Sequence, residues 1–382
     1  MDRARIVVAG IRHRGFLVSE LMSRTIAAIG ALDESAMVAA RERQMQLTKP
    51  PGSLGRLEEL AVQLAGITGN PLAAVSHRAI VVMAADHGVT EEGVSAYPAE
   101  VTGQMVANFL AGGAAINVLA RAVGARVVVV DIGVRSPLAP HAQLLARKIR
   151  SGTANFSRGP AMTRGEAERA IEVGVEVVRA ESARGLDLVA TGDMGIGNTS
   201  AASAVVACFT GASVNDVTGR GTGIDDATRI RKIEVIARAV ATNNPDPSDA
   251  LDVLAKVGGL EIGGLAGVIL GAASMRIPVV LDGFIAGAAA LIATRLAPSS
   301  TPFLIAGHRS VEPGHRLALA DLGLRALLDL DLRLGEGTGA ALAMHLVDDA
   351  VRIQREMATF HDAGVSDRPA GPKDSPNGST GT

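Results

Sequence analysis

The chain has 382 residues, with 37 basic and 39 acidic side chains and a formal net charge of −2. That balance gives no broad electrostatic reason to bind nucleic acid or an anionic membrane. With aromatics at 2 % and no Trp, composition also argues against a surface that stacks bases on rings. What stands out is 44 Gly in an aliphatic chain that is 48 % hydrophobic. Collagen-like periodicity is absent, so the glycines point to loops and to closely packed Ala/Gly helices.

Residues 1–21 read as a poorly constrained extension. Its apolar run, Ile6 to Ile11, is too short for a signal peptide. Residues 17–68 look mostly helical, interrupted by Lys49-Pro50-Pro51-Gly52-Ser53. Five short apolar runs then have the composition of buried strands: Ala79–Ala84, Arg126–Val130, Leu186–Ala190, Ile277–Leu281 and Phe303–Ala306. Their continuous rather than alternating character implies burial on both faces, as in a parallel sheet. Ala-rich stretches with helical periodicity lie around them: Val101–Val123, Arg164–Arg184, Thr199–Cys208, Asp225–Ala241 and Gly283–Arg295. The apolar stretch Gly258–Ala297 is broken by Glu261, Arg276, Pro278 and Asp282, which suits a strand and two buried helices better than a membrane span. Residues 337–363 suggest one long helix, and 364–382 a disordered tail rich in Pro, Gly, Ser and Asp. The fold class expected is α/β, a doubly wound, mostly parallel sheet with helices on both faces. Segments 22–70 and 337–363 are expected to meet as a small helical domain beside an α/β domain over 71–336. Cys208 is the lone cysteine, so no intrachain disulfide forms and a reducing, cytoplasmic location is expected.

Each apolar run discharges into polar residues. These are Asp86-His87-Gly88, Asp131 to Arg135, Thr191 to Ser200, Asp282-Gly283 and Gly307-His308-Arg309-Ser310. In an open parallel sheet the carboxyl ends share one edge, where ligands bind. The turn Asp193-Met194-Gly195-Ile196-Gly197-Asn198 leads from a strand into a helix, an arrangement that suits an anion cradled by backbone N–H groups. Gly219-Arg220-Gly221-Thr222-Gly223 forms a second such loop, with Arg220 and Lys232 as cations for a phosphate. Both loops also suit tight helix–sheet packing. No G-x-x-x-x-G-K-[ST] occurs, so a P-loop ATPase is unsupported, and metal chemistry is weakly signalled without H-E-x-x-H or paired Cys. Glu336, between Gly335 and Gly337 at the start of a long helix, is the best titratable group for catalysis. A helix N-terminus favours Glu there on electrostatic grounds alone.

Six stretches in order carry a resemblance: Lys49–Glu58 (KPPGSLGRLE), Ala85–Arg121, Thr191–Ala202 (TGDMGIGNTSAA), Gly219–Asp226 (GRGTGIDD), Gly307–His315 (GHRSVEPGH) and Leu328–Ala343 (LDLDLRLGEGTGAALA). Together they resemble the nicotinate-nucleotide–dimethylbenzimidazole phosphoribosyltransferase family from about Leu47 to Asp349. The resemblance implies transfer of phosphoribose from nicotinate mononucleotide to 5,6-dimethylbenzimidazole, in assembly of the cobalamin nucleotide loop. It implies Glu336 as general base, and Tyr97, Gln104 and Leu334 in the acceptor-base pocket. Gly195, Ile196, Gly197, Asn198 and Lys232, with Arg220 and Gly221 nearby, are implied as the 5′-phosphate site. Asp193 adds charge near the ribose, and it stands where Glu is commoner in the family. A homodimer is implied, with no metal or redox cofactor. Two other readings compete: a metal-dependent phosphohydrolase using Asp86, His87, Asp282 and His308, and a module that binds a nucleotide without reacting.

Overall fold

The computed structural model describes residues 12–13, 16–17 and 19–366. Most of the extension expected over 1–21 and nearly all of the tail expected over 364–382 lie outside the described residues. Near the N-terminus, β1 (Arg12–His13) pairs antiparallel with β2 (Phe16–Leu17).

The main sheet has six strands: β3 (Arg78–Ala85), β4 (Ala125–Gly133), β5 (Leu144–Ala146), β6 (Leu188–Met194), β7 (Val279–Leu281) and β8 (Leu304–Ala306). All neighbours are parallel, in the order β5-β4-β3-β6-β7-β8. Alternate residues of β3 serve opposite faces. Ala79, Val81 and Met83 join the core under helices Arg164–Ser182 and Leu260–Ser274. Ile80, Val82 and Ala84 join the core under helices Arg56–Thr68 and Thr338–Glu356. Both faces being covered explains the unbroken apolar runs, each buried Val or Ile contributing about 1.5–3 kcal/mol. The fold is a doubly wound α/β sheet with helices on both faces.

Glycine lets one helix pair pack backbone to backbone. A Cβ on Gly174 would lie 2.0 Å from the Gly264 carbonyl oxygen, and one on Gly267 1.9 Å from that of Ile171. Helices Arg164–Ser182 and Leu260–Ser274 therefore touch through their main chains, which accounts for part of the glycine excess.

Several element boundaries differ from the sequence expectation. β6 starts two residues later than expected and runs on through Thr191-Gly192-Asp193 to Met194, pairing with β3 throughout. Thus Asp193 sits on a strand end. β5 was not foreseen because only Leu144–Ala146 pairs, at the sheet edge. The stretch Val101–Ala122, 22 residues with mean hydropathy 1.3, is long and apolar enough to cross a membrane. Instead it divides at Gly112-Gly113 into Val101–Ala111 and Ala115–Ala122, with Gly112 at φ +77°. Neither piece has the ~20 residues a span needs. The single helix expected over 337–363 ends at Glu356, because Thr359 bridges antiparallel to Leu47 before a last turn at Phe360–Ala363.

Helices Glu34–Gln46, Arg56–Thr68 and Thr338–Glu356 pack together. Gln44 Nε2–H donates to Gln354 Oε1 at 2.5 Å, and Gln354 Nε2–H to the Ala40 carbonyl at 3.2 Å. The same C-terminal helix buries Ala340, Ala341, Met344 and Val347 against the sheet. It therefore begins directly over the sheet's carboxyl edge.

Candidate active site

The chain reverses direction across the sheet between β3 and β6, and a crevice opens at the carboxyl ends there. One end of that crevice is acidic. Glu336 occupies the left-handed region at φ +62° between Gly335 (+81°) and Gly337 (+97°). For a residue with a Cβ that conformation costs about 1–2 kcal/mol, so the surroundings must hold it. Asp282, just past β7, does so: Oδ1 accepts N–H groups of Gly339 (2.8 Å) and Ala340 (3.0 Å), and Oδ2 that of Gly337 (3.1 Å). The Glu336 N–H donates to the Asp193 carbonyl at 3.2 Å. Beneath it lies Gly192, where a Cβ would come within 2.4 Å of the Glu336 carbonyl oxygen.

The Glu336 side chain is only 4 % exposed, and Oε2 accepts the Ile116 N–H at 3.2 Å. Ile116 is in the first turn of helix Ala115–Ala122, whose opening N–H groups have no partner within the helix. Burial holds the Glu336 carboxyl above the usual carboxylate range, with the Ile116 N–H opposing. Asp193 is pushed well up by burial, then by the negative charges of Asp282 and Glu261. Its Oδ2 accepts Asn198 Nδ2–H at 2.9 Å, while Oδ1 is buried without a hydrogen-bond partner. Asp282 rises to about 7 through burial, despite its three backbone donors.

The other end is cationic. Lys232, on helix Asp226–Asn243, is 1 % exposed, and its ammonium donates to Thr199 Oγ1 at 2.7 Å. Thr199 is in the first turn of helix Asn198–Thr210, directly after the glycine turn. Gly221 packs against both. A Cβ there would stand 2.8 Å from Thr199 Oγ1 and 3.3 Å from Lys232 Nζ. The Gly221 N–H donates to Glu312 Oε1 at 2.8 Å, and its carbonyl accepts from Arg333 Nη1–H at 2.9 Å. Burial lowers Lys232 to about 8, with Glu312 pulling it up and Arg229 pushing it down.

Comparison with known proteins gives this arrangement a family. A model described as phosphoribosyltransferase matches residues 29–365. The nicotinate-nucleotide–dimethylbenzimidazole phosphoribosyltransferase of Chloroflexus aggregans is 62 % identical over 348 residues, covering 91 % of this chain and 99 % of that protein. The enzyme of the same name from Roseiflexus castenholzii is 62 % identical over 351 residues, with 92 % and 99 % covered. The crystal structure of CobT from Thermus thermophilus superposes with a TM-score of 0.84 at 52 % identity, covering 87 % of this chain and 99 % of that one. The chain belongs to the nicotinate-nucleotide–dimethylbenzimidazole phosphoribosyltransferase family.

Within this phosphoribosyltransferase the residues singled out from sequence take distinct places. Glu336, Asp193 and Asn198 form one bonded group, through the Glu336 N–H to the Asp193 carbonyl and the Asn198 amide to the Asp193 carboxylate. Lys232 and Gly221 flank Thr199. The Gly195–Asn198 turn differs from an open cradle of N–H groups. Ile196 N–H donates to Thr102 Oγ1 (3.1 Å), Asn198 N–H to the Gly195 carbonyl (3.1 Å) and Ser200 N–H to the Gly197 carbonyl (3.0 Å). The Arg220 guanidinium faces its own loop, bonding the Ile224 carbonyl and Asp226. Tyr97 is 55 % and Leu334 58 % exposed, and Gln104 is exposed on helix Val101–Ala111. The segment before Tyr97 is tied to the second glycine loop, since Ala96 N–H donates to Thr222 Oγ1 at 3.1 Å.

Two residues of the phosphohydrolase reading meet, His308 Nε2 lying 3.7 Å from Asp282 Oδ1, and the other two are engaged elsewhere. Asp86 Oδ2 accepts the Arg135 N–H at 2.7 Å, and His87 Nε2 bonds Glu261 Oε1 at 2.8 Å with both side chains fully buried. Asp282 caps a helix, and His308 lies 6.0 Å, ring to ring, from His315. Among the described residues no group of three or more His, Cys, Asp or Glu is arranged to hold a metal ion.

Sequence reading missed Ile116, Thr199, Glu312 and Arg333 as parts of the site. Glu312 did carry a signal. It precedes Pro313 at the start of helix Pro313–Asp321, where Ser, Thr, Asp or Asn is the usual cap. Its side chain makes no capping bond, because it reaches instead to Gly221.

Proposed function

We propose that Glu336 is the general base, and Lys232 with Thr199 the phosphate anchor, of the transfer for which this family is named. The reaction moves the 5-phosphoribosyl group of nicotinate mononucleotide to 5,6-dimethylbenzimidazole, giving α-ribazole 5′-phosphate and nicotinate. The C1′–N bond to nicotinate breaks and its electron pair leaves with the nicotinate ring. One benzimidazole nitrogen bonds to C1′, and the proton on the other passes to Glu336. The observation carrying this reading is a buried carboxylate, held on a left-handed bend with a single N–H donor to its side chain, at the crevice that also contains a buried ammonium.

Each group suits its task. Burial raises the proton affinity of Glu336, which makes it a stronger base near neutral pH. Asp193, on the strand end beneath Glu336, is held towards its neutral form by burial and orients the Asn198 amide at the glycine turn. Anchoring the phosphate fixes C1′ relative to the acceptor nitrogen, the contribution of proximity. Tyr97, Gln104 and Leu334 are proposed to receive the planar acceptor. The glycines and Ile196 of the first turn, with Arg220 and Gly221, line the phosphate end. The protein is further proposed to act as a homodimer in the cytoplasm, without metal or redox cofactor.

Incubation with nicotinate mononucleotide, with and without 5,6-dimethylbenzimidazole, tests the reading. Nicotinate should appear in step with α-ribazole 5′-phosphate and only when the acceptor is present. Release at an equal rate without acceptor would show hydrolysis instead.

A further inference from the structure

A phosphate site should not welcome a carboxylate, yet Glu312 is buried beside this one. It is 5 % exposed, Oε1 accepts the Gly221 N–H at 2.8 Å, and Oε2 has no hydrogen-bond partner. Two glycines make room for it. At Gly219 a Cβ would lie 2.1 Å from Glu312 Oε2, and Gly221 separates Glu312 from the Lys232 ammonium. The carboxylate has given up capping its own helix to occupy this position.

We propose that Glu312 is a positioning residue of the phosphate end: it fixes the Gly219–Gly223 loop through Gly221 and supplies the counter-charge that lets Lys232 meet the substrate as an ammonium ion. The proposal rests on the reading of Lys232 as the phosphate cation. Desolvation disfavours a buried ammonium, and an opposite charge close by is what restores it. The charged groups facing Lys232 are few. Its own helix presents Arg229, which opposes the ammonium, and helix Pro313–Asp321 presents Glu312, which favours it. Helix Asn198–Thr210 offers only the Thr199 hydroxyl, and Arg333 reaches the far side of Gly221 at its carbonyl. Among the described residues, Glu312 is thus the negative group that favours the Lys232 ammonium. Once phosphate arrives it takes over part of that role. Before then, Lys232 depends on Glu312 to stay protonated in a buried place.

The test is the pH dependence of KM for nicotinate mononucleotide in the wild-type protein and in Glu312→Gln, with the acceptor saturating. In the wild type KM should climb as pH passes about 8, where Lys232 loses its proton. In Glu312→Gln the climb should begin about one unit lower, raising KM roughly twofold near pH 7 and roughly fivefold near pH 8, and relaxing towards pH 6. The KM for 5,6-dimethylbenzimidazole should stay put. Ionisation of the substrate phosphate is common to both proteins and cancels in the comparison. Glu312→Asp keeps a charge but retracts it, so its limb should move less in the same direction. That variant carries the test if the Gln protein does not fold. An unmoved limb in the folded variants, or a lower KM in Glu312→Gln, overturns the proposal. Lys232→Met separates the two layers. If it leaves KM for nicotinate mononucleotide unchanged, the reading of Lys232 fails and this inference with it. If it raises KM while the Glu312 limb stays fixed, only the inference fails.

Discussion

Around Glu336, burial raises the proton affinity of carboxyl groups; around Lys232, burial lowers that of an ammonium ion. The acidic end gathers Glu336, Asp193 and Asp282 on a strand end and a helix start, and tolerates their mutual repulsion. The cationic end balances one ammonium against one carboxylate, Glu312. One cause, loss of water, therefore moves both groups towards neutral pH from opposite sides. The lesson is that a fold with a buried catalytic crevice obtains a base and an anion grip from the same desolvation. The penalty is a narrow pH window.

Glu336→Gln should break the acidic end most severely, lowering turnover by about 10²–10⁴-fold as expected for loss of a general base, with KM for nicotinate mononucleotide little changed. Steady-state kinetics measures both. Gly192→Ala keeps the carboxylate but intrudes on the bend, since its Cβ would fall 2.4 Å from the Glu336 carbonyl oxygen. A displacement of about 1 Å can cost roughly 10²-fold, so kcat should fall on that scale while the protein stays folded by circular dichroism. At the cationic end, Lys232→Met should raise KM for nicotinate mononucleotide by about 10–100-fold, the scale of a hydrogen bond to a charged group, and leave acceptor KM alone. The pH profile of kcat/KM sharpens the contrast. It should rise with pH as Glu336 deprotonates, above the usual carboxylate range, and fall near 8 as Lys232 loses its proton. Tyr97→Ala should have the smallest effect. The residue is more than half exposed, so acceptor KM should rise only about 3–10-fold.

Much of the architecture was legible because burial on both faces leaves a direct mark. Ile80, Val81, Val82 and Met83 could hardly belong to anything but a covered strand. Polar strand ends were less visible: Thr191 and Asp193 look like loop residues, yet they stay in the β6 ladder. The break at Gly112-Gly113 was hidden because Ala and Gly surround it in an otherwise helical pattern. In the site, Glu336 was legible from its two flanking glycines, and Lys232 from its place after a glycine loop. Partnerships across long separations were not. Glu312 meets Gly221 across 91 positions, and Ile116 meets Glu336 across 220. Conversely, Arg220 advertised itself as a phosphate ligand, but Asp226, six positions on, engages its guanidinium.

The most direct test of this division of labour is calorimetric titration of nicotinate mononucleotide into Glu336→Gln. Phosphate anchoring at Lys232 should survive loss of the base, so affinity should stay within about threefold of wild type while turnover collapses. Affinity that falls in parallel with turnover would contradict the separation of the two ends.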